Sequence, residues 1–181
     1  MNFLFLDTET TGFKEPRLCS IAFNIWGTNL ISQGYYNPPK PIEDGAVAVH
    51  GMTNFMLSTE KPFANSKDKL HIQQLLDKLV VVAHNATFDV RVLQNEGLKV
   101  RQSICTKELA KAIYANLSHH NLPFLRENLQ LVAPSAVAHS AVGDVMIMKK
   151  LWIAMYREKM KDWGDEKRVQ TYFSSFIKSY S

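Results

Sequence analysis

Asn2-Phe3-Leu4-Phe5-Leu6-Asp7-Thr8-Glu9 is a short apolar run that closes on two acids. A run of this length and content reads as a buried strand, and successive side chains of a strand point to opposite faces. Asp7 and Glu9, two apart, therefore converge on one point above the sheet while Thr8 faces away. Two converging carboxylates repel each other unless a proton or a cation stands between them, and an all-oxygen set of this kind suits Mg²⁺ or Mn²⁺ rather than zinc. Asp-x-Glu also arises by chance, so the pair acquires meaning only from the rest of the chain.

Outward from this strand, Thr11 to Pro16 reads as a turn. Leu18 to Trp26 and Leu30 to Tyr36 have the branched and aromatic content of two more strands, broken at Gly27-Thr28-Asn29. The three predict an antiparallel meander. Asn37-Pro38-Pro39-Lys40-Pro41 stops regular structure, since proline neither donates to a ladder nor continues a helix. Leu70, Ile72, Leu75, Leu76 and Leu79 lie near helical spacing and lead into Val80-Val81-Val82-Ala83, short and branched enough for a strand covered on both faces. Asn85 is placed to cap a helix from Ala86, with Phe88, Val92 and Leu93 on its apolar side, Asp89 in its first turn and Gly97 as its stop.

Further helices are expected at Thr106 to Tyr114, Leu122 to Leu129 and Ala141 to about Met160, the last with Met148, Leu151, Trp152 and Met155 as a packing stripe. The pattern, a meander followed by a helix and a covered strand, predicts an α/β fold. Tyr172, Phe173, Phe176 and Ile177 predict a docked helix, with a contact to DNA or another subunit as the alternative, in an extension over 161–181 behind a core of about 1–160. A length of 181 residues with 46% hydrophobic content suits one domain.

Lys+Arg 21 against Asp+Glu 17 gives a net charge of +4 and a pI near 9.0, a mild excess compatible with a polyanionic partner or with ordinary surface lysines. Cys19 and Cys105 have neither the spacing nor the His neighbours of a zinc site or a disulfide framework, and a reducing compartment is expected. No basic leader or cleavage site precedes Asp7, and Leu79 to Ala83 is too short to span a bilayer, so no membrane role is expected.

Three segments are read together: Phe5 to Gly12 with Asp7 and Glu9, Val82 to Leu93 with Asp89, and His139-Ser140-Ala141-Val142-Gly143-Asp144. In order and spacing they resemble the three motifs of the DEDD exonuclease superfamily in its histidine-containing (DEDDh, DnaQ-like) branch, which includes the proofreading subunit of bacterial DNA polymerase III. The sister branch carries Tyr where this chain has Ser140. Val49-His50-Gly51-Met52-Thr53, Ile104 to Ala110 and Asn121-Leu122 look like further family segments. Pro38 to Pro41, Ala83 to Leu93 and Cys105-Thr106 look most like the exodeoxyribonuclease X group.

The resemblance implies a ribonuclease H-like fold, a central mixed five-stranded sheet of the meander plus parallel strands flanked by helices, and a 3′-to-5′ exonuclease with two divalent cations, Mg²⁺ or Mn²⁺. Asp7 would bridge both ions, Glu9 and Asp144 would help hold the one at the attacking water, and Asp89 would support the other. His139, on the loop leading into the last long helix, would be the general base, since an imidazole with a pKa near 6.5 accepts a proton at working pH. Independently of any family, the four carboxylates come from strand ends and helix starts that can meet at one sheet edge, and two ions there can serve in-line displacement at a phosphate.

For the substrate, the resemblance implies contacts from Thr8, Thr10 and Thr11 to the terminal nucleotide, with Phe13 near its base; stacking of this kind tolerates any base. His50 and Asn85 are polar candidates for sugar or phosphate, with capping and turn formation as their ordinary alternatives. Arg91, Lys99, Arg101 and Lys107 could track a backbone or form a solvated face, and His71, His84, His119 and His120 are expected to be structural or solvent-exposed.

The expected activity is a metal-dependent 3′-to-5′ exodeoxyribonuclease acting on single-stranded DNA or DNA 3′ ends and releasing nucleoside 5′-monophosphates, in the cytoplasm and in a context such as DNA repair. RNA is an alternative substrate, because nothing reports how the site treats a 2′-hydroxyl. A silent binding module is a third reading, opposed by the full acidic set. A homodimer or a polymerase or repair partner is compatible with all three.

Overall fold

The structure, a computed structural model, describes residues 2–133 and 140–180. The opening run forms β1 (Phe3–Thr10), followed by β2 (Leu18–Ile25) and the shorter β3 (Ser32–Tyr35). β1 and β2 pair antiparallel with Leu4 opposite Ile25 and Glu9 opposite Ser20. The register then slips, Thr10 facing Leu18, so that Cys19 is the extra residue of a bulge at the acidic end of β1. Bulges bend and twist a strand locally and recur beside active sites.

Past the proline segment come two short helices, α1 (Asp44–His50) and α2 (Asn54–Leu57), then α3 (Lys67–Leu76), β4 (Val80–Ala83) and α4 (Ala86–Asn95). β5 (Gln102–Cys105), α5 (Thr106–Ile113), α6 (Leu122–Asn128), α7 (Ala141–Trp163), α8 (Glu166–Ser174) and β6 (Ile177–Ser179) complete the order. The strands assemble as β3-β2-β1-β4-β5-β6, with β4 parallel to both β1 and β5. This is the expected mixed sheet with one strand more. β6 adds antiparallel to the outer edge of β5, so the extension supplies a helix and a strand. Ile177 stands opposite Ile104 there, and an open β5 edge with unpaired backbone groups is what a short, weakly patterned segment can complete.

The alternation of β1 divides the core. Leu4 and Leu6 pack with Val81, Ala83, Ile72, Leu76, Val90 and Leu93 beneath α3 and α4. Phe5 packs on the other face with Val82, Ile104, Leu109, Leu125 and the α7 residues Met148, Leu151, Trp152 and Met155, the stripe expected to be core. Trp152 meets the rings of Phe3 and Phe5 edge-on, with centroids 5.0 and 5.6 Å away. α8 lies against α7, burying Val169 and Phe173, whose ring stands 4.8 Å from that of Trp152. Among the described residues no helix is long and apolar enough to cross a membrane.

Candidate active site

β1, α4 and α7 deliver the acids. Asp7 and Glu9 project from the end of β1 on its α7 side. α7 begins at a Ser140 N-cap, whose hydroxyl accepts the Gly143 N–H at 3.2 Å, which puts Asp144 in the first turn. From Asp144 to Trp152 is about 12 Å of helix, and from Asp7 back to Phe3 about 13 Å of strand, so seating Trp152 on Phe3 and Phe5 brings Asp144 level with Asp7. One carboxylate oxygen from each of Asp7, Glu9 and Asp144 lies within 4.8 Å of the others.

Asp89 takes a separate station. It sits in the first turn of α4, 3% exposed, and its Oδ1 accepts the Thr8 hydroxyl at 2.8 Å. Thr8 does face away from Asp7 and Glu9, and the face it turns to is the one α4 covers. Asp89 is therefore outside the three-oxygen group, yet its charge is the largest Coulombic influence on Asp7.

Among the described residues, every cause acting on Asp7 and Glu9 opposes their ionisation. Burial, then Asp89, Asp144 and Glu9 hold the Asp7 carboxyl well above the usual range. Burial, then Asp144 and Asp89 push Glu9 up to about 7. Burial lifts Asp89 to about 7 against the pull of the Thr8 hydroxyl and of backbone hydrogen bonds. Such a cluster lowers its energy by taking up protons or a cation. Ligands at about 2.0–2.3 Å from a hard divalent ion stand at most about 4.6 Å apart, so the observed spacing fits an ion with little closing movement.

The other sequence candidates are placed as follows. His139 lies outside the described residues. Thr10 and Thr11 are buried at the bulged end of β1; the Thr10 hydroxyl donates to the Gly12 carbonyl, and Thr11 Oγ1 accepts the Arg17 N–H at 3.1 Å. Phe13 is 79% exposed, its ring edge-on to Phe88 at 5.8 Å. His50 accepts the Met52 N–H on Nδ1 at 3.1 Å, so its proton is on Nε2, which donates to the Thr10 carbonyl at 3.0 Å. It ties the α1–α2 turn to the end of β1. Asn85 corrects an expectation: it precedes α4 in the left-handed conformation, φ 74° and ψ 44°, and its side chain makes no cap hydrogen bond. Asn tolerates that region better than most residues, so its backbone rather than its amide makes the turn.

His84 is structural, as expected: Nε2 donates to the His120 carbonyl at 2.9 Å and Nδ1 meets Thr106 Oγ1 at 3.0 Å. The residues the sequence did not single out are Arg17 and Glu96. The Glu96 carboxylate, 6% exposed as a residue, accepts Arg17 Nε at 2.8 Å, a second Arg17 nitrogen at 3.0 Å and the Leu18 N–H at 3.1 Å. The partners are 79 residues apart, and no local pattern announces them.

Comparison with known proteins agrees with this geometry. The exonuclease family RNase_T matches residues 4–152. A DNA polymerase III subunit epsilon-like protein of Rhodobacter capsulatus is 25% identical over 86% of this chain, which spans 24% of that protein's length. Exodeoxyribonuclease 10 of Escherichia coli is 27% identical over 82% of this chain and 66% of its own. A solved structure of exonuclease X in complex with 5′ overhanging duplex DNA superposes with a TM-score of 0.70 at 26% identity, covering 90% of this chain and 93% of that one.

Proposed function

The chain belongs to the RNase_T family of exonucleases, and on that premise we propose that it is a metal-dependent 3′-to-5′ exodeoxyribonuclease. One exonuclease domain over 1–181 shortens DNA from its 3′ end, in the cytoplasm, to nucleoside 5′-monophosphates. The observation that carries this reading is the meeting of Asp7, Glu9 and Asp144 within 4.8 Å at the end of the central strand, with Asp89 close enough to raise Asp7. The preference for DNA rests on the names of the similar proteins, which include an exodeoxyribonuclease and an exonuclease bound to duplex DNA.

Asp7, Glu9 and Asp144 would hold one divalent ion, and Asp89 with Asp7 would support a second, Mg²⁺ or Mn²⁺. Such ions would supply charge neutralisation at the scissile phosphate and a lowered pKa for the attacking water. The protein's own groups do the rest. Thr8 orients Asp89 through their hydrogen bond, and Ser140 fixes the helix start that carries Asp144. Thr10, Thr11 and the Phe13 ring receive the last nucleotide, with His50 and Asn85 at its margin. His139, five residues before Asp144, takes the proton of the attacking water. The phosphorus then bonds to the water oxygen, its bond to the 3′ oxygen of the preceding nucleotide breaks, and that oxygen is protonated from solvent.

The test uses 3′-labelled DNA and RNA oligomers with Mg²⁺, with Mn²⁺ or with EDTA. DNA is expected to shorten from its 3′ end with either metal and to persist in EDTA or with Asp7→Ala. Cleavage that survives EDTA would sink the two-ion reading, and faster loss of RNA would replace DNA as the substrate.

A further inference from the structure

Loop 11–17, between β1 and β2, is tied to α4 through its Phe13 and Pro16 carbonyls, while Lys40 Nζ donates to the Lys14 carbonyl at its tip at 2.6 Å. Its base is closed by the Thr11 N–H on the Arg17 carbonyl at 3.0 Å and the Arg17 N–H on Thr11 Oγ1 at 3.1 Å. Asn95 Nδ2 donates to the Pro16 carbonyl at 3.0 Å, and an Arg91 nitrogen to the Phe13 carbonyl at 3.3 Å. The Arg91 guanidinium also lies 5.4 Å from the Phe88 ring centroid, beneath the edge-on Phe13. Phe88, Arg91 and Asn95 fall at i, i+3 and i+7 on one helix face, and Glu96, just past the helix, grips Arg17 and Leu18. The same helix carries Asp89 one residue from Phe88.

Bringing the Glu96 carboxylate out of water is costly, and a part-buried pair of this kind is weak evidence for stability alone. Here its effect is to hold a loop whose most apolar side chain is left 79% exposed. A rigid support beneath an uncovered ring is what preorganisation for a ligand requires, because the ordering cost is met before binding.

We propose that Arg17 and Glu96 are positioning residues: by pinning loop 11–17 to α4 they fix the height of the Phe13 ring relative to the carboxylates, and so set the preference for a polynucleotide terminus over a small phosphodiester. This rests on the nuclease reading of the acidic site. It adds that affinity for the strand end and the capacity to cleave are set by different side chains of one segment: Asp89 serves the chemistry, while Phe88, Arg91 and Asn95 of α4, with Glu96 just past it, serve the grip.

The test compares two substrates of the intact chain with Mg²⁺: a 3′-labelled DNA oligomer and methyl p-nitrophenyl phosphate, a small phosphodiester ester without a base. Glu96→Gln is expected to raise KM for the oligomer about tenfold, within the range a base-to-aromatic stack contributes, and to leave kcat and ester hydrolysis within about twofold of the parent. Phe13→Ala should raise the oligomer KM to a similar degree, and the double variant should be no worse than Phe13→Ala alone, since both remove one interaction. Arg17→Lys, which keeps the charge but not the two-pronged geometry, should fall between the parent and Glu96→Gln.

Equal losses on both substrates, additive effects in the double variant, or an unchanged oligomer KM would each overturn the proposal. Should Glu96→Gln fail to fold, Asn95→Ala and Arg91→Ala keep the question open to decision. Each removes one loop contact and is expected to raise the oligomer KM about two- to threefold without affecting the ester, as for a single modest hydrogen bond, and no such split overturns the proposal. A parent protein inert on both substrates would remove the nuclease reading and the positioning role with it.

Discussion

Two groups of buried acids flank Cys19, and the fold treats them in opposite ways. Glu96 is answered from within: a guanidinium and a backbone N–H occupy both its oxygens. Asp7 and Glu9 are surrounded by burial and by other acids, and each of those influences raises them. The Cys19 thiol between the groups is pushed up to about 12, by burial first and then by Glu9 and Glu96. Where the carboxylate is a fastener the chain encodes the counter-charge; for Asp7 and Glu9, on the proposed reading, it comes from solution, and a cluster that is unfavourable alone becomes favourable with an ion.

The comparison breaks most sharply at Asp7. Asp7→Asn should reduce turnover on DNA by at least about 10³-fold, as for loss of a central electrostatic contact in a hydrolytic site. The same change should raise the melting temperature of the EDTA-treated protein at pH 8, because it relieves repulsion; a fall there would mean that the acids are not in conflict. On the other side, Glu96→Ala removes the acceptor of Arg17 and of the Leu18 N–H and should cost about 2 kcal/mol, or about 4–8 °C in Tm for a chain of this size. Thermal or urea unfolding reads this directly.

Protons sharpen the contrast further. Glu9 and Asp89 keep their protons up to about 7 in the folded chain, above their unfolded values of 4.5 and 3.8. The folded state therefore binds more protons over that interval, and stability without metal falls as pH rises through about 7. Lowering the pH from 8 to 6.5 in EDTA should raise Tm, and Mn²⁺ should raise Tm more at pH 8 than at pH 6.5.

The smallest effect belongs to His84, whose folded pKa is lowered from 6.5 to about 4 by burial, with Lys107 and His120 adding to it against the His120 carbonyl. Here the unfolded chain takes the extra proton, so stability is lost as pH falls from 6.5 towards 4. His84→Gln should flatten that acid limb by on the order of 1 kcal/mol, measured by unfolding at pH 6.5 and 4.5.

Much of this was legible where one pattern dominates. The β1 alternation, the branched run at Val80–Ala83, the Gly97 stop and the α7 stripe are local signals, and the structure follows them. The acids were legible because three motifs in order cannot be explained by three separate turns and caps. What escaped was set by tertiary contact. β6 has one apolar residue in three and becomes a strand because β5 offers it an edge. α1 and α2 are too short for a periodicity to show. Asn85 has a good capping side chain, but the chain's path from β4 into α4 needs a left-handed residue there, and the backbone requirement wins. Thr8 was legible as facing away from the acids; that it meets Asp89 depends on where α4 lies, 81 residues along.

The strict alternation of β1 gives this strand a parity. Leu4, Leu6 and Thr8 belong to one side of the sheet, and Phe3, Phe5, Asp7 and Glu9 to the other. Inserting or deleting a single residue before Asp7 would exchange the two sets at a stroke, pressing an acid into the greasy floor beneath α4 and stranding a leucine among the other acids. The strand can change its letters far more readily than its length, and homologues that keep the chemistry should show substitutions in it but no gaps.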